Sequence, residues 1–348
     1  MNILVTGGLG FIGSNFILEV FKNYDYNILN YDKCTYSGNP QNLNGINQSN
    51  RYTFVKGDIC NKDFFYNTIL DFRPDVIVNF AAESHVDRSI DSPLDFIKTN
   101  IMGTACLLQA SLDYFINENK NFQFIHISTD EVFGELGNDG LFSNTSPYNP
   151  KSPYSASKAS SDHLVRAWNH TYGLPVKITN CSNNYGPLQY PEKLIPLMII
   201  KCLNQEPLPV YGQGLNVRDW IFVTDHCSAI MEVIDNGKDG NTYLIGGGNE
   251  YTNIEIVNKI CSILDKLKPR TNGKKYNELI SYVSDRPGHD FRYAIDNSEI
   301  KELLGWQPKF NFDQALYDTI EWYIDNKGWW ESIISDSYKL NRLGGKKK

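Results

Sequence analysis

The sequence predicts an α/β fold in which helices cover both faces of a doubly wound parallel sheet. Short apolar runs of strand length alternate with helical patterns through the first half of the chain, which is typical of such a sheet. A glycine-rich turn joins the first run to the first helical pattern. From residue 181 onward the segments are rich in turn residues, so we expect a smaller C-terminal α/β lobe.

The first predicted strand, residues 2–6, leads into the glycine-rich turn. Gly7, Gly10 and Gly13 satisfy the pattern G-x-x-G-x-x-G, while Gly8, Gly10 and Gly13 satisfy G-x-G-x-x-G. One glycine makes the tight turn, one lets a pyrophosphate approach the backbone, and one lets the helix pack on the strand. The N-terminus of that helix can hold the phosphates. The turn therefore predicts a Rossmann-like dinucleotide site.

The next two strands end in acidic residues. Residues 27–31 are followed by Asp32, at about the ~20-residue spacing where a carboxylate takes the ribose hydroxyls. A carboxylate there repels a 2′-phosphate, so Asp32 favours NAD over NADP, although the adjacent Lys33 weakens that preference. The third strand, residues 52–57, ends at Asp58, which is equally well interpreted as an adenine contact or as a helix N-cap.

The fourth strand, residues 75–80, ends in small residues. Ala81 and Ala82 would let a flat cofactor lie against the strand ends. His85 and Arg88 follow and would lie near phosphate or substrate, although a buried structural imidazole explains His85 equally well. A helix is predicted over residues 94–116, before the fifth strand at residues 122–127.

Residues 128–158 contain the candidate catalytic groups. Thr129, Asp130 and Glu131 follow the fifth strand, where ligands bind in open α/β sheets. Alone, such an acidic pair is more often a solvated turn or an N-cap. In an extended strand the two carboxyl groups would face opposite ways, so both reach one ligand only if the chain has left the strand. Tyr154 and Lys158 lie four apart on one face of a predicted helix.

An ammonium beside a phenol favours the phenolate. We therefore expect Lys158 to lower the pKa of Tyr154 from its usual ~10, which would suit a base for a sugar hydroxyl. A Tyr-x-x-x-Lys pattern is common by itself, and its occurrence together with the glycine turn is what favours catalysis.

Composition excludes several other classes. The 348 residues suffice for two lobes, and the net charge of −7 argues against nucleic-acid binding. No apolar run approaches the ~20 residues of a membrane helix, and no signal peptide precedes the first strand. Seven scattered cysteines without C-x-x-C predict reduced thiols in the cytoplasm, with no disulfide framework and no metal site. Residues 344–348 are expected to be a solvated tail.

Three cations in the second half could bind a diphosphate. They are Lys193, Arg218 and Arg286. Each taken singly is more often a surface ion-pair partner.

Taken together, these residues resemble the extended short-chain dehydrogenase/reductase family, and within it the nucleotide-sugar 4,6-dehydratases that act on dTDP-glucose or UDP-glucose. The resemblance covers about residues 1–323. Its family-wide parts are the glycine turn and the Tyr154/Lys158 pair, and its discriminating part is Thr129-Asp130-Glu131. Segments 81–89, 191–196 and 285–290 support it. Phe133 stands where the family usually has Tyr, so a hydroxyl is lost but the ring remains.

The resemblance implies a hydro-lyase that uses NAD in deoxysugar biosynthesis, of which rhamnose synthesis is one branch. Tyr154 would take the sugar O4 proton, with Thr129 hydrogen-bonded to that oxygen and Lys158 holding the cofactor ribose. Hydride would leave C4, Glu131 would remove the C5 proton, and Asp130 would protonate the departing C6 hydroxyl. Hydride would then return to C6, giving a 4-keto-6-deoxy nucleotide sugar.

The resemblance also implies binding residues and domains. The cofactor-binding residues are Gly7, Gly10, Phe11, Ile12, Gly13, Asp32, Lys33, Thr35, Asp58, Ile59, Ala81, Ala82, Ser84, Thr99, Tyr154, Lys158 and Asn184. The residues for a nucleoside-diphosphate glucose are Ser84, His85, Arg88, Thr129, Asn183, Lys193, Leu194, Pro209, Tyr211, Arg218, Asn253 and Arg286. We expect an NAD-binding Rossmann domain over 1–180, with segments around 217–246 returning to it, and mainly a nucleotide-sugar-binding lobe over 181–348.

Family members pair the helices that correspond to residues 94–116 and 155–172 across a two-fold axis, so we expect a homodimer. Apolar residues at helical spacing fit this, although packing within one chain explains them equally well; they are Leu94, Ile97, Ile101, Leu108 and Leu112.

Three alternatives stay open at this point. A UDP-glucose 4-epimerase or a UDP-glucuronate decarboxylase would share the fold, the glycines and the Tyr/Lys pair. A non-catalytic nucleotide-sugar-binding protein could use the same frame. The choice between dTDP and UDP is also open, because one methyl group is worth only ~1 kcal/mol.

Overall fold

The computed structural model describes residues 1–336, with side chains up to residue 334. The predicted tail at 344–348 lies outside the described residues. The strands, in chain order, are β1 (Asn2–Thr6), β2 (Asn27–Asp32), β3 (Tyr52–Lys56), β4 (Val76–Asn79), β5 (Gln123–Thr129), β6 (Val176–Cys181), β7 (Asn183–Tyr185), β8 (Leu208–Tyr211), β9 (Val217–Phe222), β10 (Thr242–Ile245), β11 (Glu250–Thr252) and β12 (Ile280–Val283).

Helices fill the connections between these strands. They are α1 (Phe11–Asn23), α2 (Lys62–Phe72), α3 (Val86–Asp91), α4 (Pro93–Phe96), α5 (Thr104–Asn117), α6 (Pro153–Tyr172), α7 (Leu194–Leu203), α8 (Val223–Asn236), α9 (Asn253–Leu267), α10 (Ser298–Leu304), α11 (Phe312–Asp325) and α12 (Lys327–Asp336). Short 3₁₀ turns span Pro40–Leu43, Asp130–Phe133 and Tyr276–Leu279, and a π-helical turn spans Ile97–Gly103.

The central sheet has seven parallel strands in the order β10-β6-β5-β4-β1-β2-β3. The chain leaves β1 for β2 on one side and later returns to place β4 on the other side. Such a reversal of strand order opens a crevice at the carboxyl ends of the strands. The predicted doubly wound parallel sheet is therefore confirmed.

Apolar side chains pack on both faces of this sheet. One buried cluster contains side chains of α1 and α8, among them Phe16 and Ile230, and the other contains side chains of α2, α5 and α6, among them Phe65 and Leu108. Both faces are thus removed from water, as a parallel sheet requires.

The second half of the chain has a core of its own. Side chains of α7, α9 and α11 form it, among them Ile199, Ile260 and Leu316. Two small sheets, β11-β9-β7 and β12-β8, border this core. None of the helices in the described part of the chain is both long and apolar enough to cross a bilayer.

The helix predicted over residues 94–116 contains a feature that the pattern did not indicate. It consists of α4, the π-helical turn and α5 in direct succession. The buried Asn100 in the π turn accepts a hydrogen bond from the Glu83 amide (2.9 Å) and donates to the Glu83 carbonyl (2.9 Å) and to Ser157 Oγ (2.8 Å). The turn thus ties the end of β4 to the helix that carries Tyr154 and Lys158.

Candidate active site

A cavity of about 750 Å³ runs from the carboxyl ends of the parallel strands into the C-terminal lobe. Its volume lies within the range of ligand sites. All the predicted catalytic, cofactor-binding and substrate-binding residues line it except Arg88 and Asp130. Gly8 serves packing instead, since a Cβ there would lie 2.4 Å from Asn30 Oδ1 and 2.5 Å from Ile17 Cδ1.

The glycine turn packs too closely on neighbouring backbone to take side chains. Gly7 has φ +72°, and a Cβ on it would lie 2.6 Å from the Ala81 amide nitrogen. A Cβ on Gly13 would lie 2.5 Å from the Gly7 carbonyl oxygen. The same glycines line the cavity, so its wall here is bare backbone at the start of α1, and this cradle fits the pyrophosphate of a dinucleotide.

The acidic residues after β2 and β3 are fixed by local hydrogen bonds. Asp32 is buried and accepts from the amides of Leu9 (3.0 Å) and Cys34 (2.7 Å), which orients its carboxylate along the cavity wall. Lys33 pairs with Asp58 at 2.8 Å, so its charge is neutralised by a carboxylate and is not available to a 2′-phosphate. This pairing strengthens the preference for NAD.

The interpretation of Asp58 as the N-cap of α2 is wrong. The cap is Asn61, whose side chain accepts from the Phe64 amide at 3.2 Å. Asp58 instead accepts from the Cys60 amide at 2.9 Å and lines the cavity. The alternative interpretation of Asp58, an adenine contact, stays a prediction.

His85 fits both interpretations. It caps α3 by accepting from the Arg88 amide at 3.4 Å, and it also lines the cavity. Burial, followed by the nearby Lys193, lowers the pKa of His85 well below its usual value, so the ring is neutral. Nε2 of this neutral ring lies 3.4 Å from the carbonyl oxygen of Glu192.

The two acidic residues after β5 lie outside the strand and differ in their exposure to the cavity. Thr129 ends β5, and Asp130 and Glu131 begin a 3₁₀ turn. Thr129 Oγ1 accepts from the Glu131 amide and donates to Asp130 Oδ1, both at 3.3 Å. Glu131 lines the cavity, whereas Asp130 is only 1% exposed, and its Oδ2 has no hydrogen-bond partner among residues 1–336.

Their environments separate the two carboxyl groups chemically. Burial, followed by the charges of Glu131 and Asp219, raises the pKa of Asp130 well above its usual value, which favours its protonated form. Burial also raises the pKa of Glu131, but the cations Arg286, Lys193 and Arg218 oppose this. One group is thus suited to donate a proton and the other to accept one.

The expected lowering of the Tyr154 pKa is wrong for the protein alone. Burial, followed by the negative charge of Glu131, raises the pKa of Tyr154 well above its usual value, and a hydrogen bond with Thr129 only partly offsets this. Lys158 Nζ donates to the carbonyl of Ile127 at 2.7 Å, and burial lowers the pKa of Lys158. The two residues lie four apart on α6, but Lys158 is not among the main causes that shift the pKa of Tyr154, and burial is the largest of those causes.

Arg88 is held away from the cavity by a clasp formed by Tyr36, Arg88 and Glu192. The Arg88 guanidinium stacks 3.8 Å from the centre of the Tyr36 ring, and its Nε donates to Glu192 Oε2 at 2.8 Å. The Tyr36 hydroxyl donates to Glu192 Oε1 at 3.1 Å. The clasp joins the loop after β2 to the loop before α7, and these two loops border the cavity.

Three cations converge on the far part of the cavity. Arg286 pairs with the buried Asp87 at 2.8 Å, and its Nε has no hydrogen-bond partner among residues 1–336. Arg218 donates to the carbonyls of Val217 (2.7 Å) and Asp290 (2.9 Å). Lys193 donates to the Ser84 carbonyl at 2.9 Å. Among the residues that the structure describes, Arg286 alone of these three cations has a carboxylate partner at ion-pair distance, so the group retains positive charge for an anion.

Sequence reasoning missed Tyr36 and Glu192. Glu192 had a signal, since it directly precedes Lys193 in segment 191–196, but Tyr36 had none. In the described part of the chain, no three acidic, histidine or cysteine side chains are grouped as metal ligands would be. All seven cysteines are free thiols.

Comparisons with known proteins were made on the whole chain. A family model described as GDP-mannose 4,6 dehydratase matches residues 4–319. A dTDP-glucose 4,6-dehydratase from Xanthomonas campestris pv. campestris is 52% identical over 345 residues, 98% of each chain.

Two solved structures are similar over nearly their full length. A dTDP-glucose 4,6-dehydratase from Bacillus anthracis in complex with NAD is 47% identical, with a TM-score of 0.86 over 96% of this chain and 99% of that one. The dTDP-glucose 4,6-dehydratase DesIV from Streptomyces venezuelae, with NAD and TYD bound, is 42% identical, with a TM-score of 0.88 over 96% of this chain and 100% of that one.

Proposed function

This chain belongs to the GDP-mannose 4,6-dehydratase family, and from that premise we propose that it is an NAD-dependent hydro-lyase that converts dTDP-glucose into the 4-keto-6-deoxy sugar. The observation that carries the proposal is the division between Asp130 and Glu131. Burial raises the pKa of both carboxyl groups, but three cations oppose the rise at Glu131 and none outweighs it at Asp130, and a dehydration needs one acid and one base. The names of relatives at about half identity support dTDP-glucose over UDP-glucose.

The glycine cradle, Asp32, Asp58 and Lys158 would hold NAD, since all of them line one continuous cavity. When bound, NAD supplies a hydride acceptor for C4, a hydride donor for C6 and the positive charge of its oxidised ring. A positive charge in this cavity opposes the effects of burial and Glu131 on Tyr154 and favours its phenolate. Tyr154 is then able to take the proton of the sugar O4.

The remaining proton transfers follow from the two carboxyl groups. Once C4 is a ketone, the C5 hydrogen is acidic, and Glu131 removes it. Asp130 protonates the C6 oxygen, which leaves as water. Thr129 is hydrogen-bonded to both Tyr154 and Asp130, so it can hold O4 in place between them.

The diphosphate would lie among Lys193, Arg218 and Arg286, which can donate charge-assisted hydrogen bonds. Asn183, Tyr211 and the other predicted substrate residues on the same wall would surround the nucleoside. We do not propose Arg88 as a substrate-binding residue, because its guanidinium forms an ion pair with Glu192.

A homodimer is also part of the proposal. Leu94, Ile97 and Met102 are 74%, 45% and 55% exposed on α4 and the π turn, and Tyr172 is exposed at the end of α6. Water-exposed apolar side chains on the two helices that family members pair support such an interface. Ile101 is half-buried, and Leu108 and Leu112 are buried, so these residues serve the core of one chain.

The division of the chain into an NAD-binding domain (1–180) and a mainly nucleotide-sugar-binding lobe (181–348) is likewise proposed. The packing of α8 against α1 and of β10 against β6 supports the return of segments around 217–246 to the first domain. Seven free thiols support a reducing, cytoplasmic location.

The test is to incubate the purified protein with dTDP-glucose and, separately, with UDP-glucose, and to measure the alkali-induced absorbance of a 4-keto sugar. We expect product from dTDP-glucose without added NAD, and none from the Tyr154→Phe control. A UDP-galactose product from UDP-glucose would establish the epimerase alternative, and keto product formed faster from UDP-glucose than from dTDP-glucose would overturn the choice of nucleotide.

A further inference from the structure

A buried polar network next to Lys158 has no part in the chemistry described so far. Its members lie on four strands of the central sheet and on α6, and each is at most 1% exposed. They are Thr6 on β1, Asn79 on β4, His126 on β5, Asn180 on β6 and Asp162 on α6. Such a set of polar groups is costly to bury unless every donor and acceptor is matched.

Hydrogen bonds fix the tautomer of the histidine. Thr6 Oγ1 donates to Asn79 Oδ1 at 2.7 Å, which turns the Asn79 Nδ2 donor to His126 Nδ1 at 3.1 Å. The ring proton is therefore on Nε2, which lies 3.3 Å from Ser161 Oγ and 3.4 Å from Asp162 Oδ1. Burial lowers the pKa of His126 to about 4, so the ring is neutral and presents an N–H dipole to Asp162.

Three more donors hold the other oxygen of Asp162. Its Oδ2 accepts from Ser128 Oγ (2.9 Å), the Tyr148 hydroxyl (2.8 Å) and Asn180 Nδ2 (3.2 Å). Burial alone would raise the pKa of Asp162, but His126, Lys158 and Ser128 outweigh it, and the pKa is lowered. Asp162 is thus a fully buried carboxylate, and a buried charge requires an opposite charge nearby.

Lys158 supplies that charge through space, without a direct ion pair to Asp162. It is buried one helical turn before Asp162, with Nζ bonded to the Ile127 carbonyl. The titratable groups that face it are Asp162 on α6, His126 on β5 and Cys181 on β6. His126 is neutral, and burial raises the pKa of Cys181 to about 12, so Asp162 is the charged one.

Building on the proposed function, we propose that Asp162 is a positioning residue for the reaction. Its carboxylate, fixed by His126 and three hydrogen-bond donors, is the counter-charge that keeps Lys158 an ammonium where Lys158 meets the cofactor and Tyr154. The network makes that counter-charge rigid, because Oδ2 accepts hydrogen bonds from β5, β6 and the loop before α6, while His126 Nε2 lies 3.4 Å from Oδ1.

The test is the pH profile of kcat/KM for the NAD-loaded Asp162→Asn variant, which keeps the shape of the side chain and removes its charge. Without the counter-charge Lys158 loses its proton more readily, so we expect the alkaline limb of the profile to move about one pH unit or more toward acid. In the charge-conserving Asp162→Glu variant, the alkaline limb should lie close to its position in the unmodified protein. An unchanged limb in Asp162→Asn would overturn the proposal.

Tyr148→Phe is the matched control. It removes one hydrogen bond to Asp162 Oδ2, along with a 2.7 Å bond from Arg166, but leaves the carboxylate charged. Its alkaline limb should coincide with that of the unmodified protein. An equal shift in this control would mean that the network acts through packing and not through charge, which also contradicts the proposal.

A second readout does not depend on dehydratase activity. The fraction of NAD that survives gel filtration at increasing pH reports on the Lys158 ammonium directly. We expect Asp162→Asn to lose NAD at lower pH than either the unmodified protein or Tyr148→Phe. A protein that makes no keto sugar but shows this difference would refute the proposed function and retain the role of Asp162.

If Asp162→Asn does not fold well enough for kinetics, melting temperatures test the coupling of the two charges instead. Lys158→Met leaves the buried carboxylate without its partner, whereas Lys158→Met/Asp162→Asn removes both charges together. We expect the double variant to melt at a higher temperature than Lys158→Met at neutral pH. A double variant that melts lower would show that the two charges are not coupled.

Discussion

Replacing Glu131 by glutamine should separate C4 oxidation from water loss. The variant keeps the shape of the side chain, but the amide can neither accept the C5 proton nor hold a negative charge. After burial, that charge is the largest cause that raises the pKa of Tyr154, and it also raises the pKa of Asp130. Glu131→Gln therefore lowers the pKa of Tyr154, and its phenolate forms at lower pH.

The two halves of the reaction should consequently respond in opposite directions. Formation of NADH from the bound cofactor should persist, with its acidic limb displaced to lower pH. Product formation should fall by ~10²–10⁴-fold, the usual contribution of a general base, which corresponds to about 2.7–5.4 kcal/mol of activation free energy. Exchange of the C5 hydrogen with solvent should be suppressed.

Rapid-scan absorbance at the NADH band, with mass spectrometry of deuterium at C5, measures both halves in one sample. Asp130→Asn is the matched comparison, since it removes the acid and leaves the base. It should retain C5 exchange if elimination passes through a carbanion, and lose it if elimination is concerted. Keto product at near the unmodified rate from Glu131→Gln would show that Glu131 is not the base for the C5 proton, and the reasoning would fail.

Three further predictions concern the cofactor, the turn and the assembly. The purified protein should carry NAD and turn over without consuming it, as spectra and chromatography of the released nucleotide would record; one NAD consumed per sugar would indicate a net dehydrogenase. Gly7→Ala should abolish NAD retention, because its φ is +72° and the new Cβ would lie 2.6 Å from the Ala81 amide, whereas Gly45→Ala, with nothing within 4 Å, should retain it. Light scattering should give a dimer mass that Leu94→Asp reduces to a monomer mass, while Leu141→Asp, at an exposed apolar side chain outside the two pairing helices, leaves it unchanged.

The alternation of strands and helices, and with it the doubly wound parallel sheet, could be predicted from the sequence because strand and helix periodicity is local. The same locality explains what could not be predicted. Arg88 lies outside the cavity because it binds Glu192, 104 residues later in the chain. No helix or strand periodicity connects residues that far apart. The pKa of Tyr154 depends on burial and on Glu131, which only the folded chain brings together with the phenol. Long-range contacts and desolvation could therefore not be predicted from local sequence patterns, and only the structure shows them.

The π turn has a thermodynamic consequence. Within Ile97–Gly103, Thr99 lines the cavity, whereas the exposed Ile97 and Met102 lie on the surface proposed to meet a second copy. NAD and a partner subunit would thus both act on one seven-residue stretch of backbone. Equilibrium linkage then requires that NAD changes the association constant of the subunits by the same factor by which association changes the affinity for NAD. Where both stabilise the same conformation of this stretch, dilution releases cofactor and removal of cofactor loosens the pair.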